Sequence, residues 1–290
     1  MPTTALPSDA RRPLTLVTGA ARRVGRVIAL TLARAGHDIA LHHRSAEGRS
    51  REEAEATAAE LRALGATVTL HAADLADEAA CRALVPQVLA AQGRPLDAVV
   101  NNASTFEYDD PATFGLAALE RHLRANTAPA ILLAQALHGQ VAARRATGEA
   151  HAQGCVVNLL DQKLVNLNPD YFSYTLSKAA LQAATQMQAL ALAPLVRLVG
   201  VSPGVTLVSG PMSEDQFDAA HRLTPLGRSS TPEDVARAVR YAIESPAVTG
   251  STLMVDGGQH LLGQPRDVLF LVQQQQAQAG PSAPNRKNEP

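Results

Sequence analysis

Two periodicities alternate along this chain. Short, mostly apolar runs of four to six residues fall at 14–17, 37–42, 67–71, 96–100, 155–160, 196–201 and 251–255, with the length and the Val, Ile and Leu content of buried strands. Between them, apolar positions recur every three or four residues at 24–35, 51–64, 78–91, 116–138, 173–193 and 232–244, and these segments read as helices. Glycines at 36, 65 and 93 close three of the helices. Strands that alternate with helices from end to end predict an α/β chain: a doubly wound parallel sheet of about seven strands with helices on both faces. Strands as continuously apolar as Cys155-Val156-Val157 fit a sheet covered on both sides. No second composition zone is visible, so a single domain is expected over 13–262, after a polar tail at 1–12. In the tail at 263–290, residues 267–272 are apolar enough to dock, whereas 273–290, with its glutamines and prolines, reads as disordered. The segment 205–224 is long for a loop inside a compact domain, and its Gly210-Pro211-Met212 suggests a mobile substrate lid.

Composition narrows the function classes. The 290 residues are 46% hydrophobic and carry a net charge of −1, so a nucleic-acid or membrane surface, which needs a basic excess, is not expected. The N-terminus lacks a signal-like apolar segment and no apolar run reaches transmembrane length, which makes the cytoplasm the expected location. Cys81 and Cys155 lack metal-ligand spacing and cannot build a disulfide framework, so no metal is expected. Basic charge is almost wholly arginine; the lysines are Lys163, Lys178 and Lys287 alone.

The first strand runs into Thr18-Gly19-Ala20-Ala21-Arg22-Arg23-Val24-Gly25. Small residues at a strand-to-helix turn let backbone N–H groups approach a pyrophosphate at the helix N-terminus. A dinucleotide site of the NAD type places a carboxylate at the end of the second strand. Here that segment is His42-His43-Arg44-Ser45, without an acid, and Arg22 and Arg44 can hold a 2′-phosphate with Ser45. The expected cofactor is therefore NADP(H). His42 and His43 read as strand-end packing and cofactor contacts rather than metal ligands.

The chain resembles the short-chain dehydrogenase/reductase family through four motifs in order: the turn at 18–25; Asn101-Asn102-Ala103, preceded by Asp74-Leu75; Tyr174-Thr175-Leu176-Ser177-Lys178; and Ser202-Pro203-Gly204. Asn126 occupies the place of the family's helix asparagine. The resemblance implies a single-domain Rossmann fold, a homotetramer built on the helical regions 116–138 and 173–193, and a cofactor site over Gly19, Arg22, Arg23, Val24, Gly25, His43, Arg44, Ser45, Asp74, Leu75, Asn102, Ala103, Ser104, Pro203 and Gly204. Residues four apart share a helix face, so Lys178 would lie beside Tyr174, favour its phenolate and lower its pKa. Tyr174 would then donate the proton, Lys178 would hold the nicotinamide ribose, and Asn126 would support a relay water. Tyr171 would line the pocket.

Two departures narrow the resemblance. Arg23 stands where most members have glycine, and Asp161 stands thirteen residues before Tyr174 where most have a serine. Both resemble the pteridine reductase branch, as does Asn101-Asn102-Ala103-Ser104-Thr105-Phe106, whose phenylalanine would stack on a pterin. The substrate-binding set this implies is Arg23, Ser104, Phe106, Asp161 and Tyr174, with Asp161 joining Tyr174 in proton delivery to a C=N bond. A carbonyl reductase acting on a 3-oxoacyl or small ketone substrate is the alternative, and a non-catalytic NADP-binding protein a third.

Overall fold

Strand β1 (Leu14–Val17) shows how one sheet fills two cores. Leu14 and Leu16 join one buried cluster and Val17 another, because successive side chains of a strand point to opposite faces. The alternation repeats in β4 (Ala98–Asn101), with Val99 on the first side and Val100 on the second, and in β5 (Gly154–Leu159), with Val156 and Val157. With β2 (Asp38–His43), β3 (Val68–Ala72), β6 (Val196–Pro203) and β7 (Thr252–Val255) they form one sheet in the order β3-β2-β1-β4-β5-β6-β7, every neighbouring pair parallel. The computed structural model describes residues 11–208 and 212–279. In this range the helices are α1 (Arg23–Arg34), α2 (Gly48–Ala63), α3 (Glu78–Gln92), α4 (Leu116–His122), α5 (Ala128–Ala146), α6 (Phe172–Ala191), α7 (Glu214–Arg222), α8 (Pro232–Glu244) and α9 (Val268–Ala279). Helices α1, α2 and α8 bury their apolar stripes against one face, and α3, α5 and part of α6 against the other. This is the expected doubly wound α/β fold.

Strand order reverses between β1 and β4, and ligands of open α/β sheets bind in the crevice beyond the carboxyl ends at that point. The turn leaving β1 sits there. Gly19 holds φ +62°, and a Cβ on Gly25 would lie 2.3 Å from the Gly19 carbonyl oxygen and 2.5 Å from Asn102 Nδ2. Asn102 closes the turn by donating to the carbonyls of Thr18 and Gly19, and the Thr18 hydroxyl accepts from the N–H groups of Asn102 and Ala103.

Three regions depart from the sequence expectation. The helix expected over 116–138 is two helices joined by a π-helical turn, Leu123–Thr127, and it runs on to Ala146. The break places Pro129, which lacks an N–H, in the first turn of α5, where no donor is needed. The expected lid at 205–224 contains α7, started by a capping box between Ser213 and Gln216. The tail at 263–290 is not structureless in its first half, because α9 takes in residues 273–279 and packs on α7, with Val268 and Val272 buried against Ala220. An apolar docking edge thus carries the glutamine run into a helix. Residues 1–10 of the N-terminal tail, 209–211 of the lid (including Gly210 and Pro211) and 280–290 lie outside the described residues.

Gly25→Ala should lower unfolding stability by about 1–3 kcal/mol, because the added Cβ meets a backbone oxygen that cannot move without opening the turn. Denaturant melts of the two proteins check this.

Candidate active site

Two contiguous cavities open at the carboxyl ends of the strands, sharing Arg23, Val24 and Ser104. The larger, about 700 Å³, runs over β1 to β4. Of the residues expected to hold the cofactor, Gly19, Arg22, Arg23, Val24, Gly25, His43, Arg44, Asp74, Leu75, Asn102, Ala103 and Ser104 line it. Pro203 and Gly204 line the smaller cavity instead, and Ser45 lines neither; Arg49, Ser50 and Glu53 of α2, which the sequence reading passed over, do line the larger one. Helix α1 starts here without a side-chain cap and without an acid in its first turn, so its free N–H groups and positive end face the cavity. Arg22 pairs with Glu53 at 3.6 Å and Arg44 with Asp74 at 3.2 Å, both arginines being well exposed. His42 is a structural strut. Its Nδ1 accepts from the Gly19 N–H at 3.1 Å and its Nε2 donates to the Ala73 carbonyl at 2.9 Å, with burial holding its pKa down at about 4. Among the described residues no group of His, Cys, Asp and Glu side chains can hold a metal.

The smaller cavity, about 300 Å³, holds the reactive groups. The Tyr174 hydroxyl donates to Asp161 Oδ2 at 2.9 Å, and Asp161 Oδ1 accepts from the Lys163 N–H at 2.9 Å. Lys178 Nζ donates to the Leu159 carbonyl at 2.7 Å and lies 5.7 Å from the Tyr174 ring centre. The expectation that Lys178 lowers the Tyr174 pKa fails in this geometry. The phenol is pushed well above 10, by burial first and by the Asp161 carboxylate second, because that carboxylate is in contact and the ammonium is not. Burial also raises the Asp161 carboxyl and brings Lys178 down to about 8. The ground-state tyrosine is therefore a neutral donor hydrogen-bonded to a carboxyl that takes up a proton readily.

Asn126 sits in the π-helical turn with its amide engaged. Its Oδ1 accepts from the Thr105 N–H at 2.7 Å, and its Nδ2 donates to the Thr105 carbonyl and to the Ser177 hydroxyl, each at 3.0 Å. It pins the loop that carries Phe106. The far end of that loop is held by Asp109, whose carboxylate accepts from the Ser173 N–H and hydroxyl at the start of α6. Phe106, 41% exposed, is thereby fixed edge-on to Tyr174 at 4.7 Å and stacked on Tyr171 at 4.2 Å. Tyr108 and Phe270 extend the wall, which gathers five of the chain's nine aromatic residues. Arg23 and Tyr171 both hold φ +54°, the left-handed region that side chains avoid, and both line this cavity.

One further wall of the cavity was not assigned from the sequence. It comes from the C-terminal segment, where Asp267, Val268 and Leu269 line the cavity. Buried Asp170 accepts three bonds from Arg266, and Lys163 Nζ donates to Asp267 Oδ2 at 2.8 Å. The scarcity of lysine and the apolar run after Asp267 were the available signals.

Residues 19–260 match a family model described as enoyl-(acyl carrier protein) reductase. An uncharacterized oxidoreductase of Mycobacterium tuberculosis is 34% identical, over 84% of this chain and 90% of its own. Pteridine reductase 1 of Leishmania tarentolae is 31% identical, over 86% of this chain and 96% of its own. Among solved structures, FolM alternative dihydrofolate reductase 1 from Brucella suis in complex with NADP superposes with a TM-score of 0.79 and 35% identity, over 87% of this chain and 96% of that one.

Burial of Lys178 has a pH signature in the free protein. An unfolded lysine titrates near 10.5 and this one at about 8, so between those values the unfolded chain binds more protons and folding stability rises with pH. The melting temperature of the wild type relative to Lys178→Met should therefore climb as pH is raised from 7 to 10. A constant difference would mean that the ammonium is not desolvated.

Proposed function

The chain belongs to the short-chain dehydrogenase/reductase family, and within it we propose an NADPH-dependent reductase whose substrate is a pteridine, a dihydropterin or dihydrofolate taken to the tetrahydro form. One observation carries the substrate assignment: a carboxyl, Asp161, accepts the hydroxyl bond of Tyr174 at 2.9 Å. A serine hydroxyl polarises a ketone. A buried carboxyl instead stores a proton for a nitrogen. The resemblance to pteridine reductase 1 and to FolM points the same way.

The residues present fit the cofactor. The uncapped start of α1 and the tight turn at Gly19 and Gly25 offer N–H groups to a pyrophosphate, and Arg22 and Arg44 suit a 2′-phosphate. The bound NADPH supplies a hydride. Lys178, whose ammonium donates to the Leu159 carbonyl, would hold a ribose hydroxyl of the cofactor. Phe106 and the aromatic wall form a flat apolar surface for a planar ring, and Arg23 and Ser104 line the junction of the two cavities.

Proton delivery follows from the Tyr174–Asp161 pair. Once the phenol gives its proton to a ring nitrogen, a phenolate next to a carboxylate would place two negative charges in contact in a buried site. Asp161 must therefore enter the step protonated and pass its proton to Tyr174. Asn126 keeps Thr105 and Ser177 in register around the tyrosine. The exposed Met187 and Leu190 on α6 support assembly of copies of the chain through that helix, into the proposed homotetramer.

Turnover of dihydrobiopterin, dihydromonapterin and dihydrofolate should exceed that of 3-oxoacyl thioesters and small ketones, and Tyr174→Phe should cost at least about 100-fold in kcat. Activity on ketones alone would overturn the pteridine assignment in favour of a carbonyl reductase. The wild-type kcat should also fall as pH rises through the raised Asp161 pKa, and Asp161→Asn should lose that limb along with most of the rate. A limb retained in Asp161→Asn would assign it to another group.

A further inference from the structure

The C-terminal arm reaches the site through charge as well as through apolar contact. Lys163 is 5% exposed, and its ammonium donates to the Asp170 carbonyl at 3.0 Å and to Asp267 Oδ2 at 2.8 Å. The same residue's backbone N–H holds Asp161 Oδ1. The arm is fastened independently, by the bonds from Arg266 to buried Asp170 and by the Asp267 N–H, which donates to Asp170 Oδ2 at 2.6 Å. An unpaired ammonium at this depth would be costly, so Lys163 and Asp267 stand or fall together.

From this arrangement the geometry points to Lys163 and Asp267 as a positioning pair, delivered by the C-terminal arm, that sets the charge environment of the proton-donating Asp161. Asp161 is flanked by Lys163 on its own turn and by Tyr174 and Lys178 on α6, while Arg23 from the β1–α1 turn lines the same cavity. The Tyr171 ring lies 5.2 Å from Lys163 Nζ, and Arg266 and Asp170 neutralise each other beyond it. The Lys163 charge favours the Asp161 carboxylate, and Asp267, paired with that ammonium, offsets part of it. With Asp267 in place the pair is neutral, and Asp161 keeps its proton to higher pH. The inference rests on the role proposed above for Asp161 in proton delivery, but not on which substrate accepts the proton.

Two single substitutions move the site in opposite directions. Asp267→Asn leaves the Lys163 charge uncompensated, which favours the Asp161 carboxylate, so the falling limb of kcat against pH should move down by about one unit. Lys163→Met leaves an uncompensated Asp267 carboxylate, and the limb should move up by a similar amount. The double variant, neutral at both positions, should return close to the wild type. The Asp161 carboxyl, followed by 13C NMR in aspartate-labelled full-length protein and assigned with Asp161→Asn, should titrate with the same displacements and needs no substrate. Substrate panels therefore judge the pteridine assignment, and the carboxyl titration judges this pair. Shifts of opposite sign that cancel in the double variant support it. An unmoved Asp161 titration in Asp267→Asn, with only KM or melting temperature changed, would make the pair a simple anchor and overturn the proposal, whether or not Lys163→Met folds.

Discussion

The hydrogen bond from Tyr174 to Asp161 is the interaction on which the rest of the site depends. Burying a carboxyl costs several kcal/mol unless it is bonded, and burying it against a phenol ensures that the two cannot both be ionised. The fold answers with a small set of fixed contacts: the Lys163 N–H on one oxygen, the phenol on the other, and Lys178 held off at the Leu159 carbonyl. Burial raises the pKa of both groups of the pair, which favours a neutral phenol bonded to the carboxyl. Its chemistry is thus set by distances that β5 and α6 define, and β5 is locked between β4 and β6 across six residues of register with β6.

Strain is concentrated around this bond. Tyr171 takes a left-handed conformation immediately before α6, and Arg23 does so at the opening of α1. A side chain in that region costs on the order of 1–3 kcal/mol, which the surroundings must offset. For Tyr171 the offset is its packing against Phe106, Tyr108 and Phe270. For Arg23 it includes a bond to the Val208 carbonyl, at 3.0 Å, which ties the turn after β1 to the segment after β6. Both distorted residues point into one cavity, and relaxing either would move a wall of it.

The strands of the sheet and most of its helices were legible in the sequence because each depends on local periodicity; the order of the strands was not, because it depends on which strands pair. The motif residues were legible because they fall at the ends of those strands. What was not legible depends on partners far apart in the chain. Lys163 meets Asp267, and Asp170 meets Arg266, more than ninety residues away. A glutamine-rich stretch with a disordered composition becomes helical because Val268 and Val272 anchor it on Ala220. The π-helical turn around Asn126 has no pattern of its own, since an apolar period runs through it. The direction of the Tyr174 pKa was misread for a related reason. Helical spacing placed Lys178 on the right face, but its ammonium is directed at the Leu159 carbonyl, and it is the Asp161 carboxylate that meets the phenol.

The two ends of the cleft use ion pairs in opposite ways. At the cofactor end, Arg22–Glu53 and Arg44–Asp74 are exposed, and pairs of that kind contribute between nothing and about 1 kcal/mol. An arginine so weakly held can exchange a carboxylate for a bidentate phosphate at little cost, so pairing in the free protein is compatible with a 2′-phosphate site. At the substrate end, Lys163–Asp267 and Asp170–Arg266 enclose side chains with 5% and 1% exposure, and breaking either would strand a buried charge. The first set is built for exchange and the second for permanence. That division suits the proposed reductase, in which the cofactor would leave after every hydride while the proposed proton donor stays in place.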